Sequence, residues 1–223
     1  MTFSLVARCA RTGQFGMVIS SSSPAVAARC AHVRAGVGVV ASQNITDPDL
    51  GPILLDRLQD RMDAPSALAA VVAGRSHIAY RQLLVVDRAG RVATHSGPNV
   101  LGIWGEARGT DCAAGGNLLA VADVPARMVA AFEVAKGHLG DRLMAALEAG
   151  LTAGGEAGPV HSAGLKIADR LSWPLVDLRI DWSDDPIGQL RAAWTEYRPQ
   201  MAAYVQRAED PTQAPSYGVP GDE

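Results

Sequence analysis

Cysteine is scarce. Cys9, Cys30 and Cys112 are the only three, an odd number with no C-x-x-C pair, which argues against a disulfide framework and a structural zinc site. Aromatics are scarce too, with three Phe, four Trp and four Tyr. The core must therefore be assembled from Ala, Val, Leu and Ile, with 23 Gly allowing close backbone approach. No stretch nears the roughly 20 apolar residues that span a bilayer, and Arg8 and Arg11 interrupt the apolar N-terminus too early for a secretory signal. With a formal charge of −3 and no basic block, nucleic acid is not an expected partner. A cytoplasmic protein with no membrane contact is expected. The chain also lacks G-x-G-x-x-G, G-x-x-x-x-G-K-[ST] and G-x-S-x-G patterns. Its five histidines are scattered, without the spacing of metal ligands.

What is present is apolar and regularly punctuated. Hydrophobic residues make up 48% of 223, enough for one large domain or one domain with an appendage. "TFSLVA" and "FGMVIS" around "RTG" predict a hairpin. "AGVGVVAS" (Ala35–Ser42) predicts a third strand, apolar on both faces and so buried on both. Leu50, Ile53, Leu54 and Leu58 recur at helical spacing, and Asp63 reads as the cap of a second helix. "YRQLLVVD" and "RVATHSG" predict another hairpin, and "TDCAAGGNLL" a strand ending near Gly115-Gly116. Two alanine-rich helices follow, then a closing strand pair, "SAGLKIAD" and "PLVDLRID". Strands and paired helices in this order predict an α+β fold, two antiparallel sheets face to face with a helical pair outside each. Residues 1–182 form the expected domain, 183–207 a helical appendage starting near Asp185-Pro186, and 208–223 a disordered tail. The helix from Asp185 to Gln206 needs cover for Leu190, Trp194 and Tyr197. A second copy of the chain would supply it in a homo-oligomer; the parent domain would serve as well.

The position with most chemical interest is Thr2. Its strand starts with only a removable initiator methionine before it, whereas chain ends are usually loose unless tied down. A threonine freed at its amine offers a nucleophilic hydroxyl and, at a pKa of about 7.7–8.0, a base that is partly neutral near pH 7. One residue then serves as nucleophile and base, given donors for the developing oxyanion. The serine run at the end of the next strand faces Thr2 across the predicted hairpin. The bland alternative is a Met-Thr start without consequence and a polar loop before Pro24.

The blocks "TFSLVARCARTGQFGMVISSSSPAV", "RAGVGVVASQ", "RQLLVVDRAGRVATHSG", "AAGGNLL", "LMAALEAGLTAGGE", "HSAGL" and "VDLRID…DPIGQL" resemble, in order, signatures of the DUF1028 family across Thr2 to Arg191. That family is grouped with the N-terminal nucleophile (Ntn) hydrolases. The resemblance implies a four-layer αββα sandwich and Thr2 as nucleophile. It also implies polar residues around the amine over Ser20, Ser21 and Ser22, where the family often has arginine at the last. Arg34, opening the third strand, would supply a missing positive charge. Ser42 and Gln43 stand where a Thr-Gln pair lines the acyl pocket. Gly116 and Asn117 match a Gly-Asn block, the Asn117 carboxamide being a candidate oxyanion donor. His161 and Ser162 stand where Gln-Ser is usual, a departure bearing on the substrate.

The first functional reading is an amidohydrolase cleaving a small amide or ureido C–N bond through an acyl-enzyme on Thr2, with a small-molecule substrate and no cofactor. The second is a non-catalytic member of the fold that binds a small molecule or self-assembles. A third uses His95 or His161 as base, against which stands the opposite direction of neighbouring side chains in His95-Ser96 and His161-Ser162.

Overall fold

The computed structural model describes residues 1–221. Its first two strands, β1 (Thr2–Arg8) and β2 (Phe15–Ser21), form the expected hairpin. Gly13, at φ 78°, makes the turn, a conformation other residues adopt only with strain. A five-residue helix follows, α1 (Val26–Cys30), too short to leave a helical period in the sequence. The next hairpin corrects the expected third strand. It comprises β3 (Ala31–Arg34) and β4 (Gly38–Asn44), with 35–37 as its turn and Gly36 at φ 67°. Arg34 therefore ends one strand and does not open the next.

Helices α2 (Leu50–Gln59) and α3 (Ala64–Gly74) come next, and Asp63 caps α3 by accepting from the Ser66 N–H at 2.8 Å. Strands β5 (Arg81–Asp87) and β6 (Val92–Ser96) pair as expected. Strand β7 (Gly105–Gly109), ahead of β8 (Cys112–Asn117), was not expected. It is a sheet edge whose Glu106 and Arg108 face solvent, the charged signature of an edge strand, so apolar alternation does not reveal it. Helices α4 (Val124–Val134) and α5 (Leu139–Thr152), strands β9 (Ser162–Ala168) and β10 (Val176–Ile180), and helices α6 (Pro186–Tyr197) and α7 (Met201–Glu209) complete the order.

All pairing is antiparallel. The strands make a six-stranded sheet, β10-β9-β2-β1-β8-β7, and a four-stranded sheet, β3-β4-β5-β6. Period-two alternation divides β1, β2, β4, β5 and β8 each between two cores. Phe3 and Leu5 of β1 join Met128, Phe132, Leu143 and Leu147 of α4 and α5 in one core. Val6 of β1 meets Phe15, Met17, Val39, Leu84 and Val86 in a second, between the sheets. Val40, Leu83 and Val85 turn the other way, onto Leu54, Leu58, Leu68 and Val71 of α2 and α3, forming a third.

Helix α6 is capped by Asp185, which accepts from Gly188 N–H at 3.0 Å, and its Ile187, Leu190 and Trp194 lie in the first core. Trp194 Nε1 donates to Asp141 at 3.0 Å and the Tyr197 hydroxyl to the Leu175 carbonyl at 2.8 Å. The chain itself thus covers the face for which a second copy had been one option. Beyond α7 the described residues hold a short 3-10 turn, Pro211–Gln213, and are exposed apart from the half-buried Ala214; of the expected tail, 222 and 223 lie outside the described residues.

Candidate functional site

β1 lies between β2 and β8, so its first residue has a neighbour on each side. Thr2 pairs with Asn117, and its hydroxyl lies 3.4 Å from that of Ser21. Thr2 is only 5% exposed. Both hydroxyls donate to the Met1 carbonyl, and Ser21 Oγ also accepts the Ser23 N–H at 3.0 Å. A pocket of about 330 Å³ opens here, with Met1, Thr2, Ser21 and Ser23 in its wall. A larger hollow of about 450 Å³ beside Arg191 and Trp194 lies on α6, away from this hydroxyl pair.

Behind Thr2 the inter-sheet face turns polar. Gln82 Nε2 donates to the Gly116 carbonyl at 3.2 Å and to Ser96 Oγ at 3.0 Å. A backbone carbonyl can only accept, so this contact fixes which end of the Gln82 amide is nitrogen. Gln82 Oε1 must then accept, and it does so from Gln43 Nε2 at 2.8 Å and Asn117 Nδ2 at 3.2 Å. Gln43 Oε1 in turn accepts from the Ser4 hydroxyl at 2.7 Å. The chain of donors leaves one buried atom without a partner, Asn117 Oδ1. The amide of Asn117 is committed to Gln82, and its open valence is an acceptor, opposite to the donor an oxyanion requires.

On the other side of the chain start stands Glu156, 4% exposed. Gly154 and Gly155, at φ 120° and 57°, reverse the chain after α5, and Glu156 then bridges to Leu119. Its two oxygens accept the Ser22 N–H at 3.2 and 3.1 Å. Burial pushes its carboxyl up to about 7; the chain's terminal ammonium and the Ser22 hydrogen bond pull the other way.

The residues singled out from sequence thus divide. Thr2, Gln43 and Asn117 come together, and Gly116 contributes its carbonyl to the same network. Ser20 does not join them: its hydroxyl turns to the opposite face and donates to the Ser162 carbonyl at 3.0 Å. Ser22 contributes its backbone N–H to Glu156. The serine that meets Thr2 is Ser21, because it continues the Phe15, Met17, Ile19 alternation toward the second sheet. Ser42 points away with Val40, donating to the Asp47 carbonyl at 2.9 Å. Arg34 is set apart: it pairs with Gly38, at the far end of β4 from Gln43, and binds Asp56 at 2.8 Å and Gln59 at 2.7 Å. His161 braces β2 only through its N–H, which donates to the Ser21 carbonyl at 2.8 Å; its ring stacks on Trp182, centroids 4.4 Å apart. Ser162 Oγ donates to the Ser23 carbonyl at 2.6 Å and accepts from Val26 N–H at 3.2 Å, pinning the β2–α1 loop.

Sequence reading gave Ser21 only as one of a serine run, without singling it out, and missed Ser4, Gln82 and Glu156. Gln82 had a signal, a polar residue opening a strand otherwise buried on both faces. Glu156, behind two glycines, had a weaker one. Among the described residues there is no His/Cys/Asp/Glu group able to hold a metal, and no helix is long and apolar enough to cross a membrane.

Residues 2–190 match the model of a family described as a family of unknown function, DUF1028. A solved structure, protein SPO2555 from Silicibacter pomeroyi, ascribed to that family, is 30% identical with a TM-score of 0.81, covering 87% of this chain and 88% of its own. HslV from Trypanosoma brucei is 11% identical with a TM-score of 0.43, over 75% of this chain and 99% of its own. Anbu from Hyphomicrobium is 13% identical with a TM-score of 0.43, over 98% of this chain and 100% of its own. Likeness at the level of these last two carries no inference. A search of curated proteins finds no match.

Proposed function

The chain belongs to the DUF1028 family, and from the placement of Thr2 we propose that its mature form is an N-terminal-threonine amidohydrolase acting on a small C–N bond other than a peptide bond. The observation that carries this is a buried Thr2 hydroxyl, 3.4 Å from Ser21, in the wall of a pocket at the start of a central strand. Removal of Met1 frees the α-amine beside that hydroxyl and deletes the carbonyl that both hydroxyls now satisfy.

In this reading Thr2 Oγ attacks the substrate carbonyl carbon, and its proton passes to the α-amine with the Ser21 hydroxyl as relay. The ammonium returns that proton to the leaving nitrogen as the C–N bond breaks, leaving an ester on Thr2. Water then attacks the ester carbonyl, the amine takes the water's proton, and the acid departs as the threonine hydroxyl is restored. Asn117, with its Oδ1 open, acts as acceptor. No step needs a cofactor.

The same reading takes the three stacked cores as the four-layer αββα sandwich of the Ntn hydrolases. Residues 1–182 would be its domain, 183–207 an appendage docked on it, and the protein would work in the cytoplasm. A second reading, a non-catalytic binder or self-assembling protein of this fold, is favoured by one fact: with Met1 in place, its carbonyl engages the Thr2 hydroxyl. Intact mass and N-terminal sequencing separate the two. Loss of Met1, with turnover of small amides falling at least about 10³-fold in Thr2→Ala while the fold persists, is the expected result. A retained Met1, or full activity in Thr2→Ala, overturns the catalytic reading.

A further inference from the structure

The pocket beside Thr2 has one charged side chain in its wall, that of Arg29, and no acidic one among the described residues. Arg29 sits in the last turn of α1, and its Nη1 donates to the Pro24 carbonyl at 2.8 Å and the Ala25 carbonyl at 3.3 Å. Those contacts engage Nη1 alone, and among the described residues Nε and Nη2 have no partner. No carboxylate among the described residues forms an ion pair with it. The acids of the nearby loops are engaged elsewhere: Asp47 with Arg75 at 3.0 Å, Asp49 with Arg75 at 3.6 Å, and Asp181 with Arg179 at 3.1 Å. The backbone that presents Arg29 is itself unusual. Ala25, just before α1, stands at φ 49°, a left-handed conformation that a non-glycine residue keeps only when its surroundings impose it. Ser162, the loop's clasp, does so from β9.

A planar cation with free donors matches a carboxylate, which it can grip through two parallel hydrogen bonds. Val26, Ile45 and Pro48 give the same pocket an apolar wall. Resting on the Thr2 reading, we propose that Arg29 selects the substrate by binding its free carboxylate, so that the enzyme acts on small N-acyl amino acids with an apolar side chain.

The test uses N-acetylleucine and its uncharged carboxamide as probes. Binding is measured by calorimetry on Thr2→Ala protein, where nothing turns over, and hydrolysis with the unsubstituted enzyme by release of leucine from the acid or leucinamide from the carboxamide. The acid should bind at least about tenfold more tightly than the carboxamide. Arg29→Gln should erase that preference, and Arg29→Lys, which keeps the charge but not the fork, should retain a reduced one, which separates charge from a misfolded loop. Equal binding of the two probes, no binding of either, or a preference that survives Arg29→Gln overturns the proposal. Selective binding with no leucine release upholds Arg29 and counts against the Thr2 reading. Release of leucine from the acid and of leucinamide from the carboxamide at equal rates does the reverse.

Discussion

Five strands meet on the inter-sheet face, and each changes character along its length. At one end β1, β2, β4, β5 and β8 present Val6, Phe15 and Met17, Val39, Leu84 and Val86, and Ala113. At the other they present Thr2 and Ser4, Ser21, Gln43, Gln82, and Asn117. All of these polar residues are as buried as the apolar ones. Burial is therefore the same at both ends; what differs is how it is stabilised. The apolar end needs only close packing. The polar end needs every donor and acceptor matched, since a buried polar group without a partner costs about 1–3 kcal/mol. It is matched with one exception, Asn117 Oδ1, and that exception lies on the strand partner of Thr2.

The largest effect on this contrast should come from Gln82→Leu, which makes the polar end apolar at its hub. It strips partners from Gln43 Nε2, Asn117 Nδ2 and the Gly116 carbonyl together. A loss of about 4 kcal/mol in urea unfolding is expected. The matching change at the apolar end, Leu84→Ala, should cost about 3 kcal/mol through a cavity. Adding Gln43→Leu to Gln82→Leu should cost less than the sum of the two singles, because they share one hydrogen bond. A Gln82→Leu cost below about 1 kcal/mol would mean that the polar end does not depend on matched donors and acceptors.

A smaller, pH-dependent effect should come from Glu156. Its folded carboxyl titrates at about 7 against an ordinary 4.5. Below the lower value both folded and unfolded chains are protonated and nothing is lost. Between the two the unfolded chain has released its proton while the folded one holds it, so stability falls as pH rises, then levels above the upper value. Glu156→Gln should therefore match the parent protein near pH 4 and exceed it by about 2–3 kcal/mol near pH 8. Chemical denaturation at the two pH values is the check. A gap that does not widen with pH would show that Glu156 is no costlier to ionise than a surface carboxyl.

These two residues also mark where the sequence was legible. The alternation of β1 and β2, the cap Asp63, the helix start near Asp185-Pro186 and the antiparallel order could be read directly, because apolar period and capping chemistry are local. The polar end could not, since it depends on register between strands far apart in the chain. Ser20, Ser21 and Ser22 are the same residue type in a row, and only the pairing of Phe3 with Ser20 shows which of them faces Thr2's partner sheet. Gln82 becomes a hub only when β4, β5 and β8 are brought together. β7 escaped because an edge strand need bury little. Arg34 was misplaced for a related reason: Gly36 breaks what read as one strand, and the reversal carries the arginine to the far end.

Arg34 then supplies the smallest expected effect and a control on the contrast. Its bridge to Asp56 is water-facing, with 35% of the Arg34 side chain and 66% of the Asp56 side chain exposed, and exposed pairs are worth about 0–1 kcal/mol because solvent already serves both charges. Arg34→Ala should shift unfolding by no more than about 0.5 kcal/mol and leave amide turnover unchanged. The comparison matters because Arg34 and Gln43 lie on one hairpin, one at its turn and one at its open end. If removing Arg34 lowered turnover, charge at the turn would reach Thr2 through β4, and the polar end could no longer be treated as a self-contained unit.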